Sequence, residues 1–191
     1  MALIKTTAQG LTANATNLVH IKTITLTSNT TPIQFLNSDA DVTFDTTYDT
    51  YKFIGNVRYE SDGRRTYMRI SEDGINLDST TNNYQADDVA SSGGSVSGGD
   101  ITSTIWYMED NLSGNATGEN MAFEMTLLNN DLGSPRFISI INSINVSNSS
   151  ALTIRSGRYQ QNVRVKGIRF FPNGSTNYQT GSTISMYGVK S

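Results

Sequence analysis

Apolar and polar residues alternate along much of this chain with the two-residue period of strands that have one face in a core and one in water. In IKTITLTSN (residues 21–29), Ile24 and Leu26 alternate with Thr23, Thr25 and Thr27. Pro32 and a short apolar run, IQFL, follow. In YKFIGNVRYE, Tyr51, Phe53, Val57 and Tyr59 share one face, and Lys52, Asn56, Arg58 and Glu60 share the other. ITSTIWYM puts Ile101, Ile105 and Tyr107 on one side and Trp106 and Met108 on the opposite side. MAFEMTLL gathers Met121, Phe123, Met125 and Leu127. RFISIINSINV, ALTIRSGRY, NVRVKGIRFF and STISMYGV read as further strands. In NVRVKGIRFF the apolar phase slips between Val163/Val165 and Ile168/Phe170, and Gly167 at the slip predicts a β-bulge.

The punctuation agrees with this pattern. Asp62-Gly63 and Asp73-Gly74 are hairpin-type turn signals, because glycine takes positive φ without strain. SSGGSVSGGD (residues 91–100), within a weakly hydrophobic stretch, predicts a flexible connection. Residues 1–20 have few large side chains and no period, and predict an N-terminal arm ahead of a β-domain spanning 21–191. Roughly nine or ten strands without a helix predict an all-β fold, an antiparallel β-sandwich of jelly-roll type with roughly four or five strands to each sheet. No fixed-period repeat supports a β-helix.

The 191 residues suit one domain with its own core. Ser, Thr and Asn supply about one-third of the chain, well above ordinary usage. Charged residues supply only 16%, so the surface must be rich in hydroxyls and amides. The absence of cysteine excludes disulfides and thiolate metal sites. No apolar run is long enough for a membrane span, and the first residues lack the apolar region of a secretory signal. The net charge of −3 argues against a nucleic-acid binder. Its distribution is uneven. Residues 1–131 hold all 17 acids and 7 of the 14 bases, and residues 132–191 hold the other 7 bases. Pairing between neighbouring strands of one sandwich accounts for this, and so does contact between subunits.

Candidate chemistry is sparse. A Ser-His-Asp triad would have to use His20, the only histidine, which has no motif around it. Glu60, Glu72, Glu109 and Glu119 fall at strand ends or turns and Glu124 in a strand, so no pair of facing carboxyls is marked out as glycosidase machinery. Asn37, Asp39, Asp41 and Asp45 offer oxygens at alternate spacing, like the start of a calcium loop, but the glycine and terminal Glu of an EF-hand are missing. A strand-entry loop with solvated carboxylates is the simpler reading. Gly93, Gly94, Gly98 and Gly99 are not followed by Lys-Ser/Thr and make no phosphate loop. Aromatic side chains that stack on a sugar are the remaining possibility. Tyr178, in the polar loop NGSTNYQTG, is the best candidate for an exposed ligand contact, with Trp106 second. No catalytic residue and no cofactor are expected.

Two segments carry a family likeness. TTYDTYKFIGNVRYESDGRRTYMRISEDG (residues 46–74) and VKGIRFFPNGSTNYQTGSTISMYGVKS (residues 165–191) together resemble a family of tailed-phage virion proteins. In that family a TYDxYxF…SDG segment opens a β-sandwich and a GIRF…ISxYGxK segment closes it. The resemblance implies a non-enzymatic structural protein on the virion surface, a capsid decoration, cement or head-fibre subunit, made in the host bacterial cytoplasm and released by lysis. It implies capsid or other virion proteins as partners, and further copies of the chain, with a homotrimer first. A tail-fibre or receptor-binding module that recognises host-surface glycans is the alternative.

Overall fold

The computed structural model describes residues 17–92, 95–108, 113–129, 136–146 and 149–190. Among them there is no helix. The strands are β1 (Leu18–Thr25), β2 (Ile33–Leu36), β3 (Thr50–Val57), β4 (Thr66–Ser71), β5 (Tyr84–Ser92), β6 (Ser95–Ser103), β7 (Trp106–Tyr107), β8 (Asn120–Leu128), β9 (Arg136–Val146), β10 (Ser149–Tyr159), β11 (Gly167–Pro172) and β12 (Thr183–Val189). They form two antiparallel sheets that enclose one core, a β-sandwich. The large sheet has eight strands in the order β1-β12-β3-β8-β9-β10-β5-β6, and the small one has four, β2-β11-β4-β7. The split is therefore eight and four, not four or five apiece.

Every strand of the small sheet is entered from the large sheet and left towards it. This revises the reading of the Asp-Gly turns. Gly63 and Gly74 do take positive φ, 69° and 83°. But each turn carries the chain from one sheet to the other, because β3 pairs with β8 and β12 while β4 pairs with β7 and β11. Turn chemistry sets the backbone's direction change; it does not choose the next strand's partner.

The two segments that carry the family likeness pair with each other in both sheets. In the large sheet, Phe53 lies opposite Met186. In the small sheet, Tyr67 lies opposite Phe171 and Met68 opposite Phe170. Between the sheets, the Phe53 ring meets Phe35 and Phe170 edge-on at 5.6 and 5.7 Å, and Phe123 meets Phe170 at 5.7 Å. Edge-to-face packing suits the ring quadrupoles, and burying each such side chain contributes about 1.5–3 kcal/mol. The expected inward set Tyr51, Phe53, Val57, Tyr59, Met121, Met125 and Leu127 is fully buried, with Phe123 nearly so.

Three local expectations change. SSGGSVSGGD is not a free connection: its described residues belong to the β5–β6 hairpin, while Gly93 and Gly94 lie outside the described residues. ITSTIWYM is not one strand but breaks after Ser103 as the chain leaves β6 for β7. Gly167 begins β11 and is not a bulge. A Cβ there would lie 2.4 Å from Leu36 Cδ2, so the slip marks a close approach to β2. The register shift falls instead in β1, between His20 and Lys22. β1 begins at Leu18, inside the expected arm, and residues 1–16 lie outside the described residues.

Candidate functional site

Both aromatic residues singled out as ligand contacts are in the core. Tyr178 has no exposed surface. Its backbone bridges Thr30 and Tyr59, its ring lies 5.7 Å from that of Tyr59, and its hydroxyl donates to Thr66 Oγ1 at 3.2 Å. The alternation that would have revealed this runs through the loop itself: Thr176 and Tyr178 point in, and Asn177 and Gln179 do not. Trp106 is likewise buried, inward beside Met108 as its strand pattern implied.

The Asn37–Asp45 segment uses its polar side chains to hold its own backbone. Asn37 accepts from the Phe44 N–H at 2.6 Å and donates to its carbonyl at 3.1 Å. Asp39 accepts from the Leu36 N–H, and Asp45 from the Thr47 N–H at 2.7 Å. Asp41 sits at φ 64°. No group of three or more acidic or histidine side chains converges as a metal-binding set among the described residues. His20 lies at the surface, hydrogen-bonded to Thr23 Oγ1 and edge-on to Tyr187.

The glutamates separate. Glu124 faces outward in an ion pair with Lys52. Glu119 is buried and caps the Ala116 N–H at 2.9 Å. Glu60 is held below the usual carboxylate range by hydrogen bonds from the Asn29 and Asn177 amides. Glu109 lies outside the described residues. Glu72 and Asp78 are brought close together, lining a surface cleft of about 370 Å³ with Asp73, Asn83 and Gln161. The Tyr159 hydroxyl lies 2.7 Å from Glu72 Oε1 and 2.6 Å from Asp78 Oδ2. A phenol has one proton to donate, so one carboxylate takes it at a time. Burial pushes the Asp78 carboxyl up, but hydrogen bonds from Thr80, Tyr159 and Asn83 outweigh it and hold it low. Burial first, and then the two acids, push the Tyr159 phenol far above its ordinary value. A carboxyl held ionised and a phenol held protonated lock a structure together; neither is poised to exchange protons near neutral pH.

The least expected feature is the outer face of the large sheet. Successive registers align Thr23, Ser185, Ile54, Glu124, Ile141, Ile154 and Val89 in one row across seven strands. Ile141, Ile154 and Val89 are 55, 50 and 55% exposed, although they sit on strands in mid-sheet. Leu152, two residues from Ile154 on the same face, is exposed as well. An antiparallel sheet with one wet face normally keeps that face polar. Contiguous exposed aliphatic residues set this face apart from an ordinary wet face. The sequence held a signal for it: Ile140 and Ile141 are adjacent, so one of them had to face outward.

No family model, no curated protein and no solved structure matches the chain.

Proposed function

We propose that this chain is a non-enzymatic structural subunit of a tailed-phage particle surface, of the capsid decoration, cement or head-fibre kind, acting through protein–protein contacts. The observation that carries the reading is the aliphatic row Ile141–Ile154–Val89 on the open face of the large sheet. Its occupant in this reading is a second copy of the chain. Around the row, the outward charges on β3, β5, β8 and β10 are Lys52, Asp87, Glu124 and Arg158, equal in sign count, so copies that gather this face about a common axis meet without net repulsion. The family likeness of residues 46–74 and 165–191 supports the virion context, and the pairing of these segments in both sheets is consistent with their being one structural unit. A homotrimer is the expected assembly, with capsid or other virion proteins as further partners, after synthesis in the host cytoplasm.

Immunogold labelling of the parent particle with an antibody to this protein tests the reading. Gold over the head is the expected result. Gold confined to the tail tip would replace it with a receptor-binding role, and no labelling of purified particles would remove the virion assignment.

A further inference from the structure

The outer face of the small sheet carries two like charges side by side, away from the aliphatic row. Arg69 on β4 and Arg169 on β11 stand directly opposite each other, with Gln34 of β2 next in the row. Like charges in direct cross-strand register destabilise a sheet. Neither arginine forms an ion pair among the described residues. Arg69 Nε is buried without a hydrogen-bond partner, and the guanidinium lies 5.7 Å over the Phe171 ring. Arg169 Nε donates to Gln34 Oε1 at 3.1 Å, which fixes its fork. The two arginines line a cavity of about 270 Å³ whose remaining walls include Pro32, Leu77, Phe171 and Pro172. Gly174 is part of the wall, and a Cβ placed on it would lie only 2.7 Å from Arg64 Nη1.

We infer that this cavity binds an acidic sugar unit, its carboxylate or phosphate group held by Arg69 and Arg169. Guanidinium forks match both oxyanions in bidentate geometry. A bound anion would also offset the repulsion between the two cations. The proline, leucine and phenylalanine walls suit the apolar C–H face of a compact ring, and inorganic anions have no use for them. The volume is below that of pockets for drug-sized ligands and fits one small unit. A nucleic-acid strand fits less well, since both arginines line one small cavity where a phosphate track needs a row, and the chain is net negative. The site is independent of the assembly reading, and either can fail alone.

The test is a titration of the full ¹⁵N-labelled chain with four probes: glucuronate, glucose 6-phosphate, glucose and inorganic phosphate. The expected result is saturable shifts at the Arg69 and Arg169 Nε–H signals with one or both acidic sugars, and none with glucose. Which acidic sugar binds tells carboxylate from phosphate. Arg69→Gln and Arg169→Gln each weaken binding about ten-fold or more, the loss of a charge-assisted hydrogen bond. Arg158→Gln, on the other sheet, leaves it unchanged. Because the wild-type titration decides alone, a variant that fails to fold does not rescue the idea. Equal binding of glucose, no saturable shift with any sugar, or displacement by a single-stranded oligonucleotide at lower concentration overturns it. Inorganic phosphate bound as tightly as the sugars, an adventitious ion only, also overturns it.

Discussion

Arg155 and Asp88 stand opposite each other on β10 and β5, and both point into the core. Their ion pair is buried, and Arg155 also donates to the Tyr107 carbonyl, tying β7 to the large sheet. Desolvating two charges offsets most of their attraction, but removing one partner leaves the other uncompensated. Asp88→Asn is therefore expected to cost about 3–5 kcal/mol in a urea melt, and replacing both residues together with Leu and Met should recover much of the loss. A single variant as stable as wild type would show that the charge is not confined. The buried phenols give a pH test. Burial raises the Tyr51 hydroxyl to about 12 and pushes those of Tyr84 and Tyr159 higher. Each folded pKa exceeds the unfolded one, so this stabilisation is complete below about pH 10 and is lost as pH rises towards the folded values. Asp73 and Asp78 have the opposite sign: hydrogen bonds lower them, and their contribution is lost as pH falls below about 4. Thermal melts should thus decline on both sides, with Tyr159→Phe flattening the alkaline limb. An unchanged alkaline slope in that variant would refute the assignment.

At the scale of elements, strand faces were legible and strand partners were not. Alternation fixes which side of a strand is buried, which is why Met121, Met125 and Leu127 fell as expected. It cannot tell a hairpin from a crossing between sheets, hence the misreading of both Asp-Gly turns. β5 and β6 were illegible because Ser, Gly and Asp give them no apolar period; they are strands by virtue of the backbone ladder offered by β10. That dependence can be measured at Gly157. A Cβ on it would lie 2.1 Å from the Gln85 carbonyl oxygen and 2.6 Å from Ala86 Cα, backbone atoms that yield only if β5 moves away. In the large sheet the β5–β6 hairpin is attached through β10 alone. Gly157→Ala should accelerate amide exchange in β5 and β6 by about ten-fold or more and leave β3 and β12 unaffected. Uniform acceleration across the sheet would mean that the hairpin does not open as a separate unit.

At the scale of the molecule, the uneven charge distribution and the aliphatic face compete to explain assembly. Asp88–Arg155 and Asp49–Arg164 join early acids to late bases within one chain. Pairing inside the sandwich thus uses part of the asymmetry, and Arg169, which forms no ion pair among the described residues, lines the cavity on the small sheet. The acidic cleft was legible only in part, since Glu72 was noted at a turn but its approach to Asp78 is made by Tyr159, far along the chain. The aliphatic face bears little net charge, so contact through it should be indifferent to salt, whereas contact through the asymmetry would weaken as screening shortens the range of its fields. Ile141→Lys with Ile154→Asp puts charges of alternating sign beside Glu124 in adjacent cross-strand positions of the row. Both residues point away from the core, so the fold should survive. In sedimentation velocity, the wild-type chain should associate with rising concentration at low and high salt alike, and the double variant should stay monomeric with its melting temperature within a few degrees of wild type. A wild-type chain that stays monomeric at every concentration would remove self-assembly through this face. Association that survives the double substitution but dissolves in salt would transfer the interface to the opposed charges of the two ends of the chain.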